Sequence, residues 1–420
     1  MHIINSTLTY LHDFAFYYPF FMAYLWMLGA IYYRVMWENK QKRKIDDPPM
    51  LDLEPPVSIL VPCHNEGANV LDTVDFLLNQ EYSNFEVIAI NDGSTDNTGE
   101  LLDQLESKHE HLRVIHLASN QGKAMALKTA TLLAKSEYLL CVDGDALLDK
   151  YATRWMIRHL VKRPNVGAVT GNPRIRNRTG ILGKIQVGEF SAIIGLIKRA
   201  QRIYGRIFTA SGVIVAFRKT ALHEIGYWNN DMVTEDIDIS WRLQLNHWQI
   251  FFEPNALCWI LMPETLSGLF HQRVRWAQGG AETFFRHFNH LFQWRSRRMW
   301  LIMMEYLTSV VWSYTILIIV AIWIMQQFYN ISDLVSVEGL LPGWAGTLLI
   351  FTGLFQFTLS VIIDSRFERN LHRNIFWMIW FPMSYWMINM FATVVGFPKA
   401  ILKKQGQRAT WISPDRGIHQ

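Results

Sequence analysis

The stretch Tyr138-Leu-Leu-Cys-Val-Asp-Gly-Asp145 joins a short apolar run to two carboxylates that are two positions apart. A run of this length that ends in a turn indicates a strand that is buried on both faces, as in a parallel sheet. Side chains two positions apart on extended backbone share a face, so Asp143 and Asp145 can bind one cation. Carboxylate oxygens suit Mg²⁺ or Mn²⁺, and two protein ligands leave room for substrate phosphates. A surface turn is the alternative, because Asp-Gly is common in turns.

Three more apolar runs precede this strand, at residues 57–61, 85–90 and 111–117, and helical segments separate the runs. Strands that alternate with helices predict a parallel sheet that is covered on both faces. Ligands bind such sheets outside the carboxyl ends of the strands, which is where Glu66 and Asp92 also lie. The sequence therefore predicts an α/β unit with a site at one edge of its sheet.

Two further acidic motifs each have two interpretations. Asn91-Asp-Gly-Ser-Thr-Asp96 is either a turn before a capped helix or a place where Asp92 accepts hydrogen bonds from a nucleobase or ribose. Thr234-Glu235-Asp236 precedes the helical stretch 237–245, where acidic residues are ordinary helix caps. A carboxylate there can instead take a proton from an attacking hydroxyl group. These segments alone do not choose between a structural and a chemical role.

Two basic helical stretches are candidates for contact with substrate or with the membrane. In Gln272-Arg-Val-Arg-Trp276, the guanidinium groups of Arg273 and Arg275 suit a diphosphate, and Trp276 offers a flat face to a sugar ring. A basic amphipathic helix on anionic lipid is the alternative, and both roles can coexist. The stretch 184–206 also has apolar residues at helical spacing beside Lys198 and Arg202, and it is expected to be interfacial.

Composition limits the class of protein. Of 420 residues, 50% are hydrophobic, 14% aromatic and only 18% charged. The charged fraction is below the roughly 25% of soluble domains, which argues against a purely soluble, disordered or fibrous chain. A net charge of +4 without a compact basic patch argues against nucleic-acid binding. The three cysteines, Cys63, Cys141 and Cys258, form neither a disulfide framework nor a metal motif, which indicates a reducing compartment.

The first apolar stretch, 14–37, is long enough to span a membrane, since about 20 helical residues cross the hydrocarbon core. A cleaved signal peptide is the alternative, but its positive charge would precede the apolar stretch. Here the basic residues follow it, which places residue 38 onward in the cytoplasm. These residues are Lys40, Lys42, Arg43 and Lys44.

Three more apolar stretches occupy 301–325, 344–363 and 375–397. Counting all of them as spans puts the C-terminal tail outside the cell. The tail is basic, which argues for the inside; its residues are Lys399, Lys403, Lys404 and Arg408. One resolution is that the last stretch, which is interrupted by Pro382, is re-entrant or interfacial. The sequence leaves the side of the tail open.

Together these motifs resemble those of the processive, membrane-embedded family 2 glycosyltransferases, which include cellulose, chitin and hyaluronan synthases. The motifs occur in the same order, and the likeness covers nearly the whole chain. The wider stretches 169–176, 185–189 and 411–417 resemble the poly-β-1,6-N-acetylglucosamine synthase branch. The likeness departs at the N-terminus, where this chain has one apolar stretch and some relatives have two.

The resemblance implies a GT-A fold, a UDP-sugar donor and an inverting displacement. It also implies a role for each motif residue. Glu66 and Asp92 would hold the uridine with Lys123 nearby, and Asp145 with Asp143 would bind Mg²⁺ or Mn²⁺. Asp236 would be the general base, and its neighbour Glu235 would bind substrate. The diphosphate and the acceptor sugar would be held by Gln272, Arg273, Arg275, Trp276 and Ser211.

The resemblance further implies UDP-N-acetylglucosamine as donor, a growing polysaccharide as product, and a place in a bacterial inner membrane. A small membrane subunit and cyclic di-GMP control through the complex are expected partners. The resulting division of the chain is an N-terminal transmembrane helix (1–37), a basic linker (38–54), a GT-A domain (55–262), interfacial helices (263–298), a transmembrane region of about three spans (299–398) and a basic tail (399–420).

Other functions are compatible with parts of this pattern. The same machinery could make another β-glycan or transfer one sugar to a lipid. A membrane transporter would have ionisable residues within its spans. The stretch 301–325 contains only Glu305, and the other two C-terminal stretches contain none, which disfavours a transporter.

Overall fold

The structure is a computed structural model, and it describes residues 2–39, 44–328, 343–368, 370–378, 381–404 and 406–409. Three features of the sequence lie outside the described residues. They are the basic residues Lys40, Lys42 and Arg43, the link 329–342, and the terminal stretch 411–417.

An eight-stranded sheet forms the centre of the α/β unit, with the strand order β3-β2-β1-β4-β7-β6-β8-β5. Strands β3, β2, β1 and β4 are parallel, β7 is antiparallel to both of its neighbours, and β6 is parallel to β8. The strands are β1 Val57–Cys63, β2 Phe85–Asp92, β3 Leu112–Leu117, β4 Tyr138–Val142, β5 Leu147–Leu148, β6 Val166–Ile175, β7 Ile214–Arg218 and β8 Gln249–Ile260.

The four apolar runs of the sequence are strands β1 to β4, so the predicted mostly parallel sheet is confirmed. Strand β6 lacks this signal because it carries Thr170, Asn172 and Arg174 although all ten of its residues are buried. Each of these polar side chains has a hydrogen-bond partner elsewhere in the chain, which offsets the cost of burying it. Such partners are distant in sequence and leave no local pattern.

Helices cover both faces of the sheet. Helices α2, α3 and α5 pack on one face, and α4, α8 and α9 pack on the other. The helices are α1 His2–Tyr33, α2 Val70–Leu78, α3 Thr98–Glu106, α4 Lys123–Leu133, α5 Ala152–Lys162, α6 Ile181–Phe190, α7 Lys198–Tyr204, α8 Lys219–Glu224, α9 Glu235–Leu245, α10 Leu266–His287, α11 Arg297–Phe328, α12 Gly343–Asp364, α13 Ile375–Met378 and α14 Phe381–Leu402. Two π-helical segments, Arg34–Glu38 and Ser191–Ile197, and three 3₁₀ turns, Phe288–Phe292, Trp294–Ser296 and Leu371–Asn374, complete the described elements.

Three described helical segments are long and apolar enough to cross a membrane: Ser6–Glu38, Trp294–Phe328 and Gly343–Asp364. They contain the predicted stretches 14–37, 301–325 and 344–363. The fourth predicted stretch, 375–397, is divided between α13 and α14, and the apolar segment of α14, Trp386–Leu402, is shorter. The chain is therefore that of a membrane protein.

The tail returns to the α/β unit, which decides a question that the sequence left open. Lys403 Nζ donates to Glu282 Oε2 at 3.0 Å, and Arg408 Nη1 donates to Gln121 Oε1 at 2.7 Å. The Ala409 N–H donates to the carbonyl oxygen of Asn230 at 3.0 Å. Residues 403–404 and 406–409 thus lie on the same side of the apolar helices as the sheet, as the basic charge of the tail indicated.

The stretch 184–206 is mostly buried between other segments of the chain, and its expected place at the membrane interface stays a prediction. Its helices pack between the sheet and the apolar helices α1 and α12. Arg199 is fully buried because its guanidinium group binds Glu38 Oε1 at 2.6 Å and Asp364 Oδ1 at 3.0 Å. Glu38 ends the π-helical segment that continues α1, and Asp364 ends α12, so buried ion pairs join the apolar helices to the α/β unit.

Candidate active site

Lys123, the first residue of α4, joins three distant segments. Its Nζ lies 2.5 Å from Asp143 Oδ1 and 3.3 Å from Glu235 Oε1. It also donates to the carbonyl oxygen of Gly212 at 3.3 Å. All three side chains are largely buried, so the attraction between their charges is poorly screened. The C-terminal end of β4, the first turn of α9 and the turn before β7 therefore meet at the ammonium group of Lys123.

Asp92 supports the turn that leads into α4. Its side chain is fully buried, and its carboxylate accepts the backbone N–H groups of Gln121 at 2.7 Å and Gly122 at 2.8 Å. Gly122 has a φ of +88°, and a Cβ there would lie 2.6 Å from the carbonyl oxygen of Ala409. Asp92 thus fixes the backbone immediately before Lys123.

Glu66 lies against the turn after β4. It is buried at the end of β1, and Asn69 Nδ2 donates to its Oε2 at 3.4 Å. A Cβ on Gly144 would lie 3.2 Å from Glu66 Cγ and 2.9 Å from the carbonyl oxygen of Pro62. Glycine is needed at this position because a side chain has no space. The close approach brings Glu66 beside the pair Asp143 and Asp145.

Asp143 and Asp145 are half-buried, so the simple surface-turn interpretation does not describe them. Burial raises the pKa of Asp143 to about 6; Lys123 opposes this shift, while Asp145 and Glu235 add to it. Within the described residues, no group of three or more His, Cys, Asp or Glu side chains could hold a metal ion. The pair can therefore hold a divalent ion only together with other oxygen ligands, as substrate phosphates would supply.

Asp236 faces the turn before β7 from the first turn of α9. Its Oδ2 accepts the Gly212 N–H at 3.2 Å. Burial raises the pKa of Asp236, and Glu235 adds to the shift, while Lys123 and Arg275 oppose it. Thr234 makes no side-chain capping bond, but Asp236 Oδ1 accepts the Ile237 N–H at 2.9 Å within the first turn of α9. A carboxylate held in this way can accept a proton from a ligand hydroxyl group.

Helix α10, which carries Gln272-Arg-Val-Arg-Trp276, packs directly on the segment before α9. A Cβ on Gly279 would lie only 1.9 Å from Thr234 Oγ1, so the two segments touch. Arg275 is exposed, and its charge acts on Asp236. Trp276 packs partly against the core of the sheet. The helix therefore brings a solvent-accessible cation and an aromatic ring towards the carboxylates.

Arg273 occupies a different environment from Arg275. It is buried, its Nη2 lies 2.6 Å from Glu189 Oε1, and its guanidinium group lies 4.2 Å from the centre of the Trp276 ring. Its charge is already paired, so in this conformation it positions Trp276 and α6. Gln272, beside it, makes a long contact of 4.0 Å from its Nε2 to Met262 Sδ.

Several residues of this region were not identified from the sequence. Glu189 pairs with Arg273, His64 Nδ1 donates to the carbonyl oxygen of Asp92, and Thr170 accepts from the backbone of Ser211. Thr170 and Glu189 lie within the stretches 169–176 and 185–189 that carry the resemblance, but no local pattern assigns these contacts to them. The other contacts join segments that are distant in sequence.

Comparisons with known proteins agree with this geometry. The family model described as "Glycosyltransferase like family 2" matches residues 55–279. Poly-beta-1,6-N-acetyl-D-glucosamine synthase of Staphylococcus epidermidis (strain ATCC 35984 / RP62A) is 40% identical over 419 residues, which cover 99% of each chain. The synthase of the same name from Staphylococcus aureus (strain COL) is 39% identical over 409 residues, which cover 97% of this chain and 99% of that one.

A solved structure has the same fold. It is the mannosyltransferase PcManGT from Pyrobaculum calidifontis in complex with GDP-Man and Mn²⁺, with a TM-score of 0.62 and 18% identity over 94% of this chain and 100% of that one. The predicted GT-A fold is thereby confirmed. By the family model and the two staphylococcal relatives, the chain belongs to the family 2 glycosyltransferases, and within them to the poly-β-1,6-N-acetyl-D-glucosamine synthases.

Proposed function

We propose that this glycosyltransferase polymerises N-acetylglucosamine from UDP-N-acetylglucosamine into a β-1,6-linked exopolysaccharide of the biofilm matrix. It works processively, with inversion at the anomeric carbon, and feeds the product across the bacterial inner membrane. The observation that carries the proposal is the meeting of Asp143, Glu235 and the Gly212 turn at Lys123, beside Asp236. The relatives' identity over nearly the whole chain supports the choice of donor and linkage.

The carboxylates divide the chemistry between them. Asp236 takes the proton of the acceptor hydroxyl as that oxygen attacks the anomeric carbon. Asp145, supported by Asp143, would hold Mg²⁺ or Mn²⁺, which offsets the negative charge that develops on the UDP leaving group. Because UDP leaves without a proton, one carboxylate base is sufficient, whereas glycosidases need two carboxyl groups.

The remaining site residues bind and orient. Arg275 attracts the diphosphate. Its guanidinium group is exposed, and it is close enough to the site for its charge to act on Asp236. Trp276 orients the acceptor sugar, and Arg273 with Gln272 supports that ring. Glu66 and Asp92 shape the uridine pocket, with Lys123 and Glu235 next to it and Ser211 near the acceptor.

We extend the proposal to the wider assembly. The catalytic unit lies in the cytoplasm, and the apolar helices α1, α11 and α12 provide the route for the polymer through the bilayer. A small membrane subunit joins the chain, and cyclic di-GMP acts through that complex. With residue 38 onward in the cytoplasm, the two later spans bring the tail back to the cytoplasmic side. This agrees with the contacts between the tail and the catalytic unit.

Purified protein in lipid nanodiscs, supplied separately with each radiolabelled UDP-sugar, tests the proposal. We expect polymer-bound label from UDP-N-acetylglucosamine alone and β-1,6 linkages on methylation analysis. Label from UDP-glucose alone would contradict the substrate, and a labelled lipid with a single sugar would contradict polymerisation. Absence of transfer from every donor, in protein that binds UDP, would favour an obligatory partner subunit.

The contact between α10 and Thr234 gives a second prediction. In Gly279→Ala, the added methyl group would overlap Thr234 Oγ1, so α10 must move away and carry Trp276 with it. A displacement of about 1 Å in a catalytic site can cost up to about a hundredfold in rate, and we expect a loss of at least about tenfold. The measurement is the initial rate of UDP release.

Gly180→Ala is the matched control for this change. A Cβ at Gly180 would have no heavy atom within 4 Å, so its rate is expected to equal that of the wild type. A Gly279→Ala protein with the wild-type rate would show that the position of α10 tolerates the shift.

A further inference from the structure

Lys198 is a buried ammonium group whose role the proposed chemistry leaves open. It is 3% exposed and lies at the start of α7, directly after the π-helical segment Ser191–Ile197. Such segments often occur at functional sites. Lys198 Nζ donates to Thr170 Oγ1 at 3.0 Å, across the sheet surface. Burying an ammonium group is costly, and a neutral hydroxyl recovers only part of that cost. The placement therefore requires an explanation beyond stability.

Thr170 connects Lys198 to the active site. Its side chain is fully buried in β6, and its Oγ1 accepts a second hydrogen bond, from the Ser211 N–H at 3.0 Å. A threonine hydroxyl has two acceptor lone pairs, and these two bonds use both. The next residue, Gly212, donates its N–H to Asp236 Oδ2 at 3.2 Å. Lys198, Thr170 and the turn thus form a continuous chain of contacts to the carboxylate.

The turn before β7 is held at three successive residues. The Ala210 N–H donates to Ser240 Oγ at 2.8 Å, and that hydroxyl donates to the carbonyl oxygen of Asp236 at 2.6 Å. Ser211 is held by Thr170, and Gly212 by Asp236 itself. Two of the three bonds therefore involve α9, and only the Thr170 bond ties the turn to β6. Loss of that bond would leave the Ser211 end of the turn without its tie to β6, while Lys123 still holds the Gly212 carbonyl oxygen.

The charge of Lys198 adds to the geometric effect. Hydrogen bonds that involve a charged donor are stronger than neutral ones, so the ammonium group holds the Thr170 hydroxyl in one orientation. Burial lowers the pKa of Lys198 to about 7, and the negative charge of Asp236 opposes that shift. By the same interaction, the protonated lysine favours the ionised form of Asp236.

We infer that Lys198 and Thr170 are positioning residues for glycosyl transfer, which fix the Ser211–Gly212 turn against Asp236. The inference rests on the proposed function, since it assumes that Asp236 is the base. Neither residue touches the reacting atoms. They act on the rate of the chemical step through the distance between Asp236 and the acceptor.

Thr170→Val tests the inference because it keeps the shape of the side chain and removes both hydrogen bonds. In the full-length protein in nanodiscs, we expect kcat to fall at least about tenfold while KM for UDP-N-acetylglucosamine changes less than about twofold. Thr170→Ser restores the hydroxyl and should recover most of the rate. Thr131→Val is the matched control, because Thr131 is equally buried and its Oγ1 has no hydrogen-bond partner within the described part of the chain.

Lys198→Met gives an independent measurement and decides the matter if Thr170→Val does not fold. It keeps the length of the side chain without its charge, and we expect a similar fall in kcat. The double variant should be no slower than the slower single variant, because both changes break the same chain of contacts. Unchanged kcat in both single variants, or losses that multiply in the double variant, would overturn the inference.

Two readouts separate this role from a general loss of stability and from failure of the proposed function. Thr170→Val could lower kcat and also raise KM, with neither change reversed in Thr170→Ser. That result would indicate a merely structural role and would also overturn the inference. If the wild type makes no polymer from UDP-N-acetylglucosamine, the proposed function fails. If the wild type polymerises and the variants do so equally fast, only the positioning role fails.

Discussion

Asp236→Asn is expected to abolish polymer synthesis while leaving the binding of UDP-N-acetylglucosamine nearly unchanged. The asparagine oxygen can still accept the Gly212 N–H, so the turn stays in place. The amide cannot take a proton from the acceptor hydroxyl, and loss of a general base typically costs about 10²- to 10⁴-fold in rate. The rate is measured by UDP release, and donor binding by calorimetry.

A matched control is Asp75→Asn, which changes an exposed aspartate on α2 whose side chain bonds Asn79, one helical turn further along the chain. Its rate should equal that of the wild type. Normal polymerisation by Asp236→Asn would remove the base role from Asp236. Weakened donor binding together with a lost rate would instead assign Asp236 to the substrate pocket.

The acid side of the pH profile provides a separate check on the same residue. Burial raises the pKa of Asp236, so the base becomes protonated, and inactive, at a higher pH than an ordinary aspartate. As the pH falls through that raised pKa, kcat of the wild type should decline. The residual rate of Asp236→Asn should lack this decline, since the amide does not titrate.

The sequence predicted those parts of the fold that leave a local pattern. Strand β4 is a run of five residues, four of them buried, and its end is marked by Asp143, so both strand and carboxylate are readable from one stretch. Because the carboxyl ends of parallel strands meet at one edge of a sheet, the alternating pattern alone predicts that Glu66 lies near that carboxylate. Strand β6 has no comparable signal because its buried polar residues have partners that lie far along the chain.

Long-range pairing also explains where the assignment of roles was incomplete. The motif Gln272-Arg-Val-Arg-Trp276 offers two arginines that look equivalent in sequence. In the structure Glu189, 84 positions before Arg273, pairs with that residue and leaves Arg275 exposed. The bond between Lys198 and Thr170 is another such case, because a basic residue in an apolar helix is typical of a membrane-surface pattern. Only the packed structure shows which surface a helix covers.

Removing divalent cations with EDTA is the second change expected to stop turnover, and added Mg²⁺ or Mn²⁺ should restore it. UDP carries negative charge as it leaves, and Lys123 is already paired with Asp143 and Glu235. Lys123 is therefore not free to meet that charge, whereas Arg275 is exposed. A bound divalent ion contributes several kcal/mol of charge stabilisation, so we expect a loss of at least about a hundredfold.

Asp145→Asn should reproduce the effect of the chelator, and binding of Mn²⁺ in the presence of UDP, followed by electron paramagnetic resonance, should weaken. Metal binding requires ionised carboxylates. Because the pKa of Asp143 is raised to about 6, affinity should fall as the pH drops through that value. Glu81→Gln, which alters an exposed carboxylate paired with Lys150, is the control and should bind Mn²⁺ as the wild type does. Full activity in EDTA would remove the metal role from Asp145, and the charge on UDP would then have to be met by arginine alone.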